Sequence, residues 1–135
     1  MKTDTDLKAF IPNEEVSSVE VASINFDQWI LTIAIRLYGK KPEQPVIGMT
    51  HVVFYNPRGF RLLDEGDMLQ FPWDRVSKSK SFVHRIDEGG WLDLEKNAGN
   101  LIHAESHNEY LIITGNECVS VITGENDEPH CISAC

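Results

Sequence analysis

From Trp29 to Tyr38 the chain places Trp29, Leu31, Ile33, Ile35 and Leu37 at every second position, with Thr32, Ala34 and Arg36 between them. A strand sends successive side chains to opposite faces, so a period of two describes a ribbon with one face buried. On a helix Trp29 and Leu31 would stand about 200° apart and the apolar set would spread round the circumference. This segment therefore requires a sheet with a core beneath it. Residues 39–45, GKKPEQP, supply two prolines and a charged turn, and Val46–Tyr55 is again rich in β-formers. An antiparallel pair is the economical connection between the two runs.

The rest of the chain reads as short strands broken by turn residues. Asn56-Pro57-Arg58-Gly59 has turn chemistry, because proline presets φ at the second position and glycine closes it, and Phe60–Leu63 follows as a short strand. In residues 64–73, DEGDMLQFPW, Asp64 can cap a brief helix while Gly66 opposes one, so a short helix or a turn is expected. The polar segment 74–80 reads as an exposed loop and Phe82–Ile86 as a strand. Gly89-Gly90 interrupts it, and Trp91–Ala98 fits one or two helical turns closed by Gly99, with a strand as the competing reading. Tyr110–Thr114 and Glu117–Thr123 flank Gly115-Asn116, which predicts a hairpin with a type II′ turn. Leu111–Ile113 is apolar without alternation, as expected of a central strand covered on both faces.

These elements predict an α+β fold, mainly antiparallel β in a sandwich or curved sheet, with one to three short helices. At 135 residues and 41% hydrophobic content the chain is the size of one domain that needs no covalent staple. The expected organisation is a flexible lead over 1–15, a β-rich domain over 16–123 and a flexible acidic tail over 124–135, the two ends being polar and without period. Three cysteines, Cys118, Cys131 and Cys135, cannot all pair within the chain, and the start MKTDTDLKAF lacks the apolar stretch of a secretory signal. A reducing cytoplasm is the expected location. Cys118 lies in an alternating apolar run, the setting of a small buried thiol.

Charge divides the chain unevenly. Residues 1–86 carry eleven acids and eleven bases, whereas 87–135 carry ten acids against Lys96 alone, so the whole net charge of −9 belongs to the last third. A field of that sign repels nucleic acid and draws a basic partner over about 8 Å at physiological salt, and no apolar run approaches the ~18 residues that span a bilayer. Arg75, Lys78, Lys80 and Arg85, with Trp73 and Phe82 nearby, could touch phosphate, but the same four cations serve equally as a solubilised loop or as partners of the acids. Trp29, Trp73 and Trp91 each adjoin an apolar run and read as core residues before recognition residues.

No pattern specifies a reaction. His103 and His107 lie four apart with Glu105 between them, but NLIHAESHNE is not His-Glu-x-x-His and its glutamate is misplaced for a general base, so a polar loop is the simpler reading. His130 and Cys131 have no partner at a diagnostic spacing. There is no Gly-x-Ser-x-Gly and no phosphate loop. Carboxylate pairs among Asp64, Glu65, Asp67, Asp87 and Glu88 arise by chance in any acidic chain. Neither catalytic residues nor a cofactor nor a metal site is expected.

GFRLLDEGDML from Gly59, GGWLDLE from Gly89, EYLII from Glu109 and CVSVI from Cys118 together resemble a family of small uncharacterised bacterial proteins over about residues 46–123. The size, acidity and β-rich make-up are similar to immunity proteins of bacterial toxin systems, including contact-dependent growth inhibition. That resemblance implies a non-enzymatic protein that covers a cognate basic toxin, in particular a nuclease. It offers no catalytic residues. Toxin nucleases have basic clefts because they bind a polyanion, so the expected contact surface is Asp87, Glu88, Asp93 and Glu95 flanking Trp91, or Glu125, Asp127 and Glu128. Two rivals are kept: a small-ligand or regulatory binding module with a β-lined pocket holding Trp29 and Trp91, and an enzyme using carboxylates or the His103/His107 pair.

Overall fold

A computed structural model describes residues 2–4, 10–43, 45–64, 81–88, 90–99, 107–115 and 117–132. The expectations for residues 65–80, His103 and Glu105 lie outside the described residues. In chain order the elements are β1 (Lys2–Asp4), β2 (Val16–Asp27), β3 (Ile30–Gly39), β4 (Val46–Tyr55), β5 (Gly59–Asp64), β6 (Val83–Glu88), α1 (Trp91–Asn97), β7 (His107–Ile113), β8 (Glu117–Gly124) and β9 (His130–Ile132). They form two antiparallel sheets, one ordered β1-β6-β7-β8-β5 and the other β2-β3-β4-β9. The fold is mainly antiparallel β, with α1 the one helix among the described residues.

The alternating run determines where the two sheets meet. Leu31, Ile33, Ile35 and Leu37 of β3 are buried, and with Val52 and Phe54 of β4 they form one layer of the core. Val83, Tyr110, Ile112, Val119 and Val121 form the opposing layer, and Phe10 and Phe82 close one side with their rings edge to face at 5.9 Å. As expected, β3 pairs antiparallel with β4, and the β7–β8 hairpin lies inside its sheet. Leu111 and Ile112 are both fully buried, because Ile112 faces the inter-sheet core while Leu111 joins Ile86 and Cys118 in a second cluster on the sheet's other face.

Four sequence expectations are corrected. Trp29 is neither core nor strand: Gln28 and Trp29 form the two-residue link between β2 and β3 with φ of 51° and 64°, and Trp29 is 67% exposed. Both residues left-handed is the signature of a type I′ turn, whose twist suits a hairpin but whose preferred residues are Asn-Gly. Gly115 does not take the positive φ that a type II′ turn demands, and the β7–β8 turn is closed instead by the Thr114 amide and hydroxyl donating to the Glu117 carbonyl at 3.0 and 3.1 Å. The lead is not without structure, since Lys2–Asp4 pair with β6 and Phe10 is buried in the core. The tail likewise contributes β9, which pairs with β4 across the molecule from β8. Short strands lacking internal periodicity form here because a neighbouring edge already offers unpaired backbone groups.

The strained turn gives a direct test. Replacing Gln28-Trp29 by Asn-Gly should raise stability by about 0.5–1 kcal/mol, because a bulky residue at positive φ is disfavoured and glycine is not. Equilibrium urea unfolding of the double variant checks this, and an unchanged or lower midpoint counts against a strained turn.

Candidate acidic and aromatic pole

Two crossings between the sheets define one end of the sandwich. β4 ends at Tyr55 and passes through residues 56–58 into β5, while β8 ends at Gly124 and passes through 125–129 into β9. Ile30 pairs with Tyr55, Val53 with His130 and Gly59 with Ile122, so the β2–β3 turn and both crossings share that end. Hydrogen bonds tie it together: the Asn56 amide donates to the Trp29 carbonyl at 2.8 Å and the Arg58 amide to the Ile122 carbonyl at 2.7 Å. Ile86 pairs with Glu109, and β6 runs two residues beyond that pair to Asp87 and Glu88 at the same end, next to the start of α1.

The topology thus brings both proposed acidic groups, distant in sequence, to one pole. Asp87 is exposed there and its Oδ1 accepts from Arg85 Nε at 2.9 Å, so its charge is partly compensated. Glu88 is the last residue of β6, its backbone opposite Lys2. On α1, Asp93 is half-buried in the first turn, and Glu95 accepts from Trp91 Nε1 at 3.1 Å. Glu125 and Glu128 are exposed in the β8–β9 crossing, while Asp127 folds back against Gly124. Asp27 adds a further carboxylate at the end of β2. Among the described side chains, Arg85 pairs with Asp87, Arg61 lies over the Trp91 ring, and Arg58 and Lys96 are the further cations toward this end.

Two acids of the last third leave the pole for structural duty. Glu117 Oε1 accepts from the Val21 amide at 2.9 Å, where the register of β2 shifts at a bulge, and so straps one sheet to the other. Glu109 is 1% exposed, and its carboxylate accepts from the Trp91 amide at 3.2 Å and the Leu92 amide at 2.8 Å. Gly90 provides no side-chain cap, so β7 caps α1 from a distance. Burial pushes the Glu109 carboxyl upward, opposed by those two amides and by the Arg61 guanidinium. Trp91 is turned inward: its ring reaches β5 beside Gly59 and lies under the Arg61 guanidinium, 4.8 Å from centroid to Cζ. It therefore holds α1 to the sheet, and Trp29 and Trp91 share no pocket, one standing on the hairpin turn and the other on the sheet's outer face.

Sequence reasoning missed the aromatic part of the pole. Phe26, Trp29 and Phe60 contact one another in series, Phe26 to Trp29 at 5.9 Å and Phe26 to Phe60 at 5.8 Å, yet they remain 45, 67 and 37% exposed. Phe26 pairs with the core residue Leu31 and Phe60 with the core residue Val121, so both rings project between the sheets where the edge strands β2 and β5 leave the sandwich open. Tyr55, 41% exposed, stacks edge to face on His130 at 5.3 Å at the same end but on the outer face of the four-stranded sheet. A tryptophan at a position that favours glycine was the available signal, but only the register reveals that Trp29 is at such a position.

No family model, curated protein or solved structure matches this chain. The functional reading therefore rests on the chemistry of the site itself.

That chemistry does not assemble a nucleophile with a base among the described residues. Burial pushes the Cys118 thiol up to about 12, which leaves it protonated and inert. Burial pushes His84 down to about 4, which leaves its imidazole neutral. His84, Leu111, Ser120 and Arg61 form one cross-strand row on the outer face of the five-stranded sheet, in which His84 Nδ1, Ser120 Oγ and Arg61 Nε are buried without a hydrogen-bond partner. Among the described residues no group of three or more histidine, cysteine or acidic side chains is placed to hold a metal ion. At the opposite end a shallow hollow of about 350 Å³ is lined by Glu14, Glu15, Gly39, Lys40, Lys41 and Ile47, where the charges of both signs balance. Arg75, Lys78, Lys80 and Trp73 lie outside the described residues, and Phe82 is buried in the core.

Proposed function

We propose that this protein is a cytoplasmic immunity protein, which binds a basic protein toxin one to one and covers it without catalysis. The observation that supports this reading is the convergence of Asp87, Glu88, Asp93, Glu95, Glu125, Asp127 and Glu128 on one pole from three separate stretches of chain. Such a concentration of one sign steers a cationic partner into encounter and fixes its orientation, with association up to ~10⁸–10⁹ M⁻¹s⁻¹ at low salt. No helix among the described residues is long and apolar enough to cross a membrane, in keeping with a diffusing binder.

The gene next to its own provides the test. Co-expression with the product of the gene immediately upstream should permit growth that this product alone prevents. Changing Glu95, Glu125 and Glu128 together to lysine, at positions that carry no backbone cap, should slow association by about tenfold or more at low salt and flatten its salt dependence. Stopped-flow association measures both quantities, and an unaltered on-rate would remove the acidic pole from the interface.

One observation favours a second reading. The unpartnered atoms of His84, Ser120 and Arg61 would suit a small polar ligand on the outer face, because buried polar groups ordinarily find partners. A high-resolution crystal structure with only ordered water on those three atoms would dismiss it.

A further inference from the structure

We infer that the aromatic tip of Trp29, Phe26 and Phe60 is the anchor of the interface, and that it seats in an apolar pocket bordered by lysine and arginine on the partner protein. The inference rests on the reading of the acidic pole as the docking face and adds the residues that hold the complex together once encounter has occurred.

Three features carry it. First, the tip is a connected apolar surface left open, with Trp29 two-thirds exposed and supported from below by the edge of Phe26, which itself leans on Phe60. A large aromatic held on a rigid support loses little side-chain entropy on docking, and interface anchors are enriched in tryptophan for that reason. Second, Trp29 occupies a left-handed position that a bulky residue resists, with Gln28 before it in the same region. A chain selected for stability alone would place glycine there, so the retained ring indicates a use outside the fold. Third, the tip and the acids share one end of the sandwich, with Asp27 adjoining the turn and the β8–β9 crossing ending at His130 against Tyr55.

The charge selects the occupant. Two copies meeting at this end would oppose their acidic poles, and an anionic membrane would be repelled in the same way, whereas a basic protein gains from both the aromatic contact and the field. Steering and anchoring are then separable: the carboxylates set how fast the partner arrives and the rings set how slowly it leaves.

A phage-displayed library of random short peptides, selected on the intact protein at low salt, is the probe. Peptides that combine an aromatic or large aliphatic residue with flanking lysine or arginine should be enriched. Measured as synthetic peptides, they should lose about tenfold or more in affinity against W29G, mainly through faster dissociation. W29G relaxes the turn, and an unchanged circular dichroism spectrum with a melting temperature no lower than the parent's confirms that the fold is intact; F26S is the second variant, expected to weaken the same peptides. Basic peptides that bind W29G and F26S as well as the parent overturn the anchor while leaving the acidic pole standing. Enriched peptides that need Trp29 but carry no basic residue overturn the assignment of the partner's charge and the acidic-pole reading with it. Failure to enrich any sequence at the pole, as mapped by amide chemical-shift changes, overturns both.

Discussion

Replacing Glu109 by alanine is expected to lower global stability by about 2–4 kcal/mol and to free α1 from the sheet, the combined result of two orphaned amides and an uncompensated gap. The carboxylate is 1% exposed and is the acceptor for the first two amides of the helix, at 3.2 and 2.8 Å. Seven residues of helix cannot persist unaided in water, and none of the seven is fully buried, so α1 depends on that cap and on the Trp91 ring under Arg61. Removing the charge also relieves the cost of burying it, which keeps the loss below the sum of two unsatisfied donors. Glutamine at the same position retains one acceptor oxygen and should recover part of the loss. G90A attacks the same contact from the other side, because a Cβ there would stand 2.5 Å from Glu109 Oε1 and 2.7 Å from Ile86 Cγ2. It should destabilise comparably despite an ordinary extended backbone at Gly90. Urea unfolding gives the magnitude, and amide exchange at Trp91 and Leu92 reports the local event; full protection of both amides in E109A would sink this account of the helix.

The second large effect is a loss of stability in mild acid from His84. Its imidazole is 1% exposed, Nδ1 has no hydrogen-bond partner, and burial holds its pKa at about 4 against an ordinary 6.5. The folded state therefore resists a proton that the unfolded chain accepts. Stability from this group is complete above pH 6.5, falls as the pH drops through the interval, and is fully lost near pH 4. The total is about 3 kcal/mol, at ~1.4 kcal/mol for each pH unit of the interval. Glu109 acts with the opposite sign, since a carboxyl raised by burial makes the fold the better proton acceptor as pH falls toward the unfolded value. H84L separates the two by replacing the imidazole with an apolar side chain that needs no partner. The variant should lose most of the slope between pH 6.5 and 4, and a parental slope in H84L would show that other groups carry the acid sensitivity.

Much of the sheet architecture is legible in the sequence because it depends on local alternation. Leu31, Ile33, Ile35 and Leu37 announce a core-facing strand without reference to any neighbour, and Gly99 at φ 75° ends the only described helix where glycine would be expected. Trp29 was misread for an instructive reason: it continues the same alternation by one position, but the hairpin turns there, and periodicity cannot say where a strand stops. The terminal strands β1 and β9 were invisible because three-residue strands have no period, and only an edge already formed by β6 or β4 makes them favourable.

The excess of carboxylates after residue 86 is fixed by composition alone, since charge is additive along a chain. It could not separate structural from surface carboxylates. Glu109 and Glu117 are taken up by backbone amides of α1 and β2, from elements 17 and 96 residues away, because buried donors must find an acceptor wherever the fold leaves one. That Asp87, Glu88, Asp93, Glu95, Glu125, Asp127 and Glu128 gather with Phe26, Trp29 and Phe60 at one end emerges only once the chain is folded. That meeting follows from two crossings between sheets at the same pole, a matter of strand order and register that no local pattern encodes.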